Sequence, residues 1–264
     1  MRPMLRYHGG KWLLAEWIIS HFPQHRCYVE AYGGGASVLL RKPRSYAEVY
    51  NDLDDEVVNV FRVARDQGQQ LKESLYLTPF SRKDFETSYA PTDCPLERAR
   101  RTVTRSFMGF GSSAVTGGKT GFRANSNRSG TTPARDWKNY AECFGELIDR
   151  LRGIVIENRD ALEVMDAHDA PTTLHYVDPP YVLSTRADAR ADYRFEMIDE
   201  DHTQLADFLK QLQGPVILSG YPSPLYDDLY SSWTRVDKKH YADGALGRTE
   251  CLWLSPKVDM GRLL

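Results

Sequence analysis

Two periods of hydrophobic spacing run through this chain. Short apolar runs bounded by polar or turn residues predict strands over 26–31, 48–51, 154–157, 174–177 and 216–219. Helical spacing marks other stretches. Tyr140, Phe144, Leu147, Ile148 and Leu151 fall on one face, with Gly153 as the stop. A helix is predicted over 54–65. Another is predicted over 199–212, with acids in its first turn and Gly214-Pro215 after its end. The stretches 235–241 and 250–254 predict a closing pair of strands. Strands alternating with helices imply an α/β fold around a parallel sheet.

The alternation breaks over 98–138. Gly109, Gly111, Gly117, Gly118, Gly121 and Gly130 lie there among Ser, Thr and Asn, so the window is expected to be loop or hairpin, inserted into the sheet domain. Charge sets it apart as well. Nine basic residues face the single acid Asp136, a net charge of +8, which leaves −10 on the remainder of a chain whose total is −2. The near-neutral total, which alone argues against a nucleic-acid partner, is therefore a sum over two different surfaces.

Composition narrows the class further. With 264 residues, 41% apolar and 27% charged, the chain reads as a globular protein. No apolar run approaches the roughly 18 residues that span a bilayer, and the first residues lack a secretory leader pattern, so a cytoplasmic location without membrane association is expected. Cys27, Cys94, Cys143 and Cys251 are scattered without a C-x-x-C pair. That argues against a structural zinc and a disulfide framework, and no metal is expected.

Three motifs carry chemistry. Tyr32-Gly33-Gly34-Gly35-Ala36 follows the strand at 26–31 and leads into Ser37-Val38-Leu39-Leu40. Glycines here let the backbone approach a ligand, although a plain strand-to-helix turn is an equal alternative. The pattern is not G-x-G-x-x-G, because position 38 is Val, so a nucleoside-type ligand fits better than a dinucleotide. Asp52, about 20 residues on, is placed to bind two ribose hydroxyls. Glu30 could accept from a ligand amino group or be only a cap. Asp178-Pro179-Pro180-Tyr181 is the sharpest signal. Two prolines remove two N–H groups at a strand end, so a carboxylate, carbonyls without local donors and an aromatic ring come together where α/β sheets bind ligands. Tyr7-His8-Gly9-Gly10-Lys11 lacks the rest of a phosphate loop and alone is a basic turn.

Taken in order, these motifs resemble the Dam-like D-P-P-Y (alpha-group) DNA adenine-N6 methyltransferases. Arg248-Thr249-Glu250-Cys251-Leu252-Trp253-Leu254 is similar to that family's closing strand. The resemblance spans nearly the whole chain. Its basic insert is shorter than that of Dam and looks like those of phage or prophage relatives. The resemblance implies a Rossmann-like methyltransferase sheet formed by 1–77 and 151–264, with 78–150 inserted as a target-recognition domain. It implies S-adenosyl-L-methionine as cofactor, with Tyr7, Gly10, Lys11, Glu30, Gly33, Gly35, Asp52, Asp160 and Asp178 around it. It also implies a site-specific enzyme, monomeric, acting on double-stranded DNA and of the kind found in restriction-modification.

An adenine amino nitrogen shares its lone pair with the ring. Acceptors at Asp178 and the Pro179 carbonyl would free that lone pair for in-line transfer, with Pro180 shaping the turn and Tyr181 offering a stacking face. The base must leave the duplex to reach them. Arg105, Lys119, Arg123, Asn125, Asn127 and Arg128 are the candidate DNA contacts, phosphate contact being the more frequent role for each arginine. Phe107, Phe110 and Phe122 either wedge into the stack or fill the lobe. Cytosine N4, RNA or protein amino groups remain as acceptors with the same chemistry, and a DNA-binding module without catalysis is the reading from another class.

Overall fold

A computed structural model describes residues 2–111, 115, 118–127, 130–186, 193–241 and 247–260. Its strands are β1 Cys27–Glu30, β2 Ala47–Asn51, β3 Val155–Glu157, β4 Thr173–Val177, β5 Val216–Gly220, β6 Thr234–Tyr241 and β7 Gly247–Leu254. They form one sheet in the order β3-β2-β1-β4-β5-β7-β6. The first five are parallel, and β7 is antiparallel to both of its neighbours. The helices among the described residues are α1 Ala15–Ile19, α2 Ser37–Arg41, α3 Asp55–Asp66, α4 Gly68–Leu77, α5 Arg82–Thr87, α6 Pro95–Met108, α7 Pro133–Leu151, α8 Ala161–Ala167, α9 Asp199–Gln211, α10 Pro224–Leu229 and α11 Pro256–Met260. This is the expected Rossmann-like sheet, closed by an antiparallel pair.

Strand alternation sends neighbouring side chains to opposite faces of the sheet. Tyr28, Tyr50 and Tyr176 enter one core with Phe61, Phe107, Tyr140 and Phe144. Val29, Val49 and Val177 enter the other, against Val164, Leu205, Leu209 and Trp253. From β1 the order runs outward through β2 and β3, whereas β4 and β5 run the other way. The crevice outside the carboxyl ends of β1 and β4 is therefore the switch point at which such sheets bind ligands.

The window at 98–138 corrects the expectation of a loop. Residues 98–108 belong to α6, and 133–138 open α7 behind the Thr132 cap. Ala99, Thr102, Val103, Ser106 and Phe107 form a buried helical stripe that the surrounding arginines mask in the composition. The Phe107 and Tyr140 rings lie 4.1 Å apart, and Trp137 Nε1 donates to the Thr78 carbonyl at 2.8 Å. Both helices thus share the core of the sheet's first face. Phe107 and Phe122 fill that core and its edge, with Phe122 5.1 Å from Phe80, whereas Phe110 is exposed. A buried ion group ties the end of α7 to β2. Arg150 gives Glu48 two bonds, 2.6 and 2.9 Å, and Lys42 adds a third at 2.7 Å. Among the described residues, no helix is long and apolar enough to cross a membrane and no cluster of three metal-ligating side chains is found.

Candidate active site

At the switch point the strand ends and their loops enclose a cavity of about 330 Å³. All nine residues expected around a cofactor line it: Tyr7, Gly10, Lys11, Glu30, Gly33, Gly35, Asp52, Asp160 and Asp178. The glycine turn is held by packing. A Cβ at Gly33 would stand 2.6 Å from Tyr50 Cδ2 and 2.9 Å from the Asn51 carbonyl oxygen. Tyr50 cannot yield, because its ring is fully buried on Phe61 and its hydroxyl donates to the Gly34 carbonyl at 2.8 Å. Gly34 itself has φ +46°, a left-handed value that suits glycine. The turn is locked to β2 by Asp52, whose carboxylate accepts from Gly34 N at 2.7 Å and Asp54 N at 2.8 Å.

Acids dominate the cavity. Glu30 is buried and accepts from the Tyr28 hydroxyl at 2.6 Å and Leu39 N at 2.8 Å. Burial pushes its carboxyl up to about 8, and that of Asp52 up to about 6. Asp160 sits at the rim as the cap of α8, accepting from Leu162 N at 2.8 Å.

Asp178 follows β4 directly. Its Oδ1 takes both Lys11 Nζ at 2.9 Å and the Tyr181 hydroxyl at 3.1 Å. Its Oδ2 has no hydrogen-bond partner among the described residues. Burial raises the Asp178 carboxyl, with Lys11 opposing. Lys11 also donates to the Gly9 carbonyl at 2.8 Å and lies 4.7 Å from the Tyr181 ring centre. Burial works against its charge, but Asp178 and Glu250 outweigh that and hold the ammonium above the usual lysine range. Pro179 is buried and Pro180 lines the cavity. Arg186 donates to the Tyr181 carbonyl at 2.7 and 3.0 Å, which fixes the backbone after the two prolines.

The cavity also holds residues that the motifs do not mark. Tyr193, Arg194, Phe195, Glu196 and Met197 form one wall, with Arg194 tied to Asp54 at 2.8 Å. Glu250 on β7 stands behind Asp178. It lies 3.8 Å from Lys11 Nζ and shares the single Tyr181 hydroxyl proton with Asp178 Oδ1, its own contact to that hydroxyl being the shorter of the two. Its burial pushes the carboxyl up to about 7. Its place in the stretch Arg248 to Leu254, similar to the family's closing strand, was the available signal.

The D12 class N6 adenine-specific DNA methyltransferase family matches this chain over residues 7–242. The chain belongs to that family. It is similar to the Type II methyltransferase M1.LlaDCHI of Lactococcus lactis subsp. cremoris, 26% identical over 258 residues, a match covering 88% of this chain and 86% of the relative. The protein is thus a methyltransferase that acts on adenine in DNA.

Beside the cavity of this methyltransferase runs a groove of about 650 Å³ that shares Tyr193 and Arg194 with it. Arg98, Arg101, Arg105, Lys119 and Tyr89 line the groove, as does Glu56. The α6 arginines are engaged by acids. Arg105 bonds Glu56 at 3.0 Å, Arg98 pairs with Asp55 at 3.0 Å, and Arg100 and Arg101 both reach Glu97. Lys119 lies 5.8 Å from the Tyr89 ring centre. Arg123 donates to the Phe107 carbonyl at 3.0 Å, and Asn125 and Asn127 are exposed. Arg128 lies outside the described residues.

Proposed function

We propose that the cavity binds S-adenosyl-L-methionine and that the enzyme methylates the N6 amino group of an adenine flipped out of double-stranded DNA. The observation that carries this reading is the Asp178 carboxylate, held on one oxygen by Lys11 and Tyr181 and left with the other for a donor. The cavity suits such a cofactor on chemical grounds. Seven acids line the cavity against three cations, Lys11, Arg159 and Arg194, so a positively charged ligand fits its balance of charge.

When bound, S-adenosyl-L-methionine supplies an electrophilic methyl group. The protein's own work is to bind, orient and polarise. Asp52 would hold ribose hydroxyls, and Asp160 would lie near the cofactor's adenine. Asp178 Oδ2 and the Pro179 carbonyl accept from the target amino group and turn its lone pair away from the ring. They would also stabilise the positive charge that grows on nitrogen as its bond to the methyl carbon forms and the sulfur–methyl bond breaks, before one amino proton is lost to water and the neutral methylamino group is left. Pro180 holds the turn, and the Tyr181 ring offers a face beside the flipped base. We propose that 78–150 supplies recognition, with Lys119, Arg123, Asn125, Asn127 and Arg128 in contact with DNA and Arg105 bracing the groove. The type II relative supports a role in restriction-modification.

The test is expression in a host without adenine methylation, followed by single-molecule sequencing of its DNA. Methylated adenine within one recurring sequence is the expected result. Methylated cytosine, or none in a soluble and folded sample, overturns the proposal.

A further inference from the structure

A carboxylate is an expensive side chain to bury, and Glu250 is only 2% exposed. Its strand does not require it. Leu252 and Leu254 share its face of β7 by alternation and are buried in the apolar core. Nor does Lys11 require it, since Asp178 already pairs with that lysine at 2.9 Å while Glu250 stands at 3.8 Å. Glu250 is therefore a second acid where one would satisfy the cation.

Its contacts say what it does. Glu250 touches the two groups that touch Asp178: the Lys11 ammonium and the Tyr181 hydroxyl. Both of those bind the same Asp178 oxygen, Oδ1. The backbone on either side is pinned independently. Glu250 is paired with Lys238 across β6, and its neighbour Cys251 with Gly220 across β5. The Tyr181 ring stands edge-on to Tyr221 with centres 4.6 Å apart, and Arg248 donates to the Tyr221 hydroxyl at 2.9 Å. A rigid strand thus presents an acceptor that holds lysine and tyrosine on one side of the Asp178 carboxylate.

We propose that Glu250 is a positioning residue for methyl transfer: through Lys11 and Tyr181 it fixes the rotation of the Asp178 carboxylate, so that Oδ2 faces the target amino group. It touches neither substrate nor cofactor. The inference rests on the role given to Asp178 above.

Single-turnover methylation of duplex DNA tests it, alongside separate measurement of cofactor and DNA affinity for Glu250→Ala and Glu250→Gln. Loss of positioning lowers the saturated rate by about 10- to 100-fold. Both affinities stay within about threefold, because no ligand contact is removed. Glu250→Gln keeps the side-chain volume and an acceptor for Tyr181, and recovers part of the rate. A saturated rate equal to wild type in both variants overturns the inference. So does a loss confined to affinity, or a Glu250→Gln variant that folds, binds both ligands and is no faster than Glu250→Ala. Wild-type protein in the same assay separates the two readings. If it fails to methylate adenine, the proposed reaction is wrong; if it methylates and both variants match it, only Glu250 is misassigned.

Discussion

Asp178→Asn separates chemistry from architecture more cleanly than any other substitution in the site. The amide keeps the shape of the side chain and removes its charge. In the wild type, Oδ1 is taken by Lys11 at 2.9 Å and Tyr181 at 3.1 Å. Asparagine can satisfy both only by presenting its oxygen to them, which points the amide NH₂ at the target amino group, donor against donor. Loss of one preorganised contact to a developing charge costs about 2.7–4 kcal/mol, or about 10²–10³-fold in rate. The fold is spared, because Lys11 keeps a carboxyl group within reach in Glu250 at 3.8 Å. Lys11→Met is the contrasting case. It leaves two buried carboxyl groups around one tyrosine hydroxyl without a cation, and removing one partner of a buried pair costs about 3–5 kcal/mol of stability. Single-turnover transfer of a labelled methyl group reads the chemistry, gel-shift titration reads DNA binding, and thermal unfolding reads the fold. The expected result for Asp178→Asn is a rate at least 10²-fold lower with unchanged DNA affinity and about 1 kcal/mol or less of lost stability. A rate within threefold of wild type would refute the role of this carboxylate.

Further perturbations test the frame around the site. Glu48→Gln strips the buried Arg150 and Lys42 of their shared anion and should destabilise the protein by about 3–5 kcal/mol, seen as a fall in melting temperature of roughly 10 °C; a shift below 3 °C would show the group to be inessential. Replacing Lys119 and Arg123 together with Ala should weaken DNA binding and reduce the slope of log K against log salt by about 2; an unchanged slope would mean that neither side chain meets a phosphate. Glu97 is held down to about 2 by hydrogen bonds from Arg100 and Arg101. Its folded-state value lies below the unfolded one, so its stabilising effect is complete above about pH 5 and is lost between about pH 5 and pH 2. Glu97→Gln should remove that part of the acid dependence of stability, and identical wild-type and variant curves would exclude it.

How much of this was readable in the chain depended on how local each signal was. The strand ends at Glu30, Asn51 and Val177 and the motif from Asp178 to Tyr181 are contiguous in sequence, and the sheet sets them side by side because consecutive β-α units wind in one hand. The nine residues expected around the cavity come together for that reason. Helix α6 was hidden by its own solution to burial. Its arginines bond inward to Glu97, Glu56 and Asp55, so a half-buried helix carries the composition of a solvated loop. Glu250 was hidden by distance along the chain. An acid in a strand is ordinarily a solvent-facing residue, and only the antiparallel return of β7 brings it behind Asp178. The wall from Tyr193 to Met197 has no periodic pattern, and its place follows from the ion pair of Arg194 with Asp54.

The same pairing changes what the charge of the window means. Counted along the sequence, it offers +8 to a polyanion, and eight phosphate contacts would give a salt slope of about −7. In the fold, Arg98, Arg100, Arg101 and Arg105 are matched by three acids outside the window, Asp55 and Glu56 on α3 and Glu97 just before it. Arg98, Arg101 and Arg105 build the wall of the groove, and the four together contribute little net charge to it. Of the other five, Arg135 and Lys138 lie on α7, where Lys138 pairs with Glu142, and Lys119, Arg123 and Arg128 lie between α6 and α7; a slope nearer −2 to −3 is expected from those three. Weak electrostatic attraction suits an enzyme that must find one sequence among many. When few phosphates hold the protein, little of the binding free energy is independent of sequence, and contacts to base edges decide where it stays.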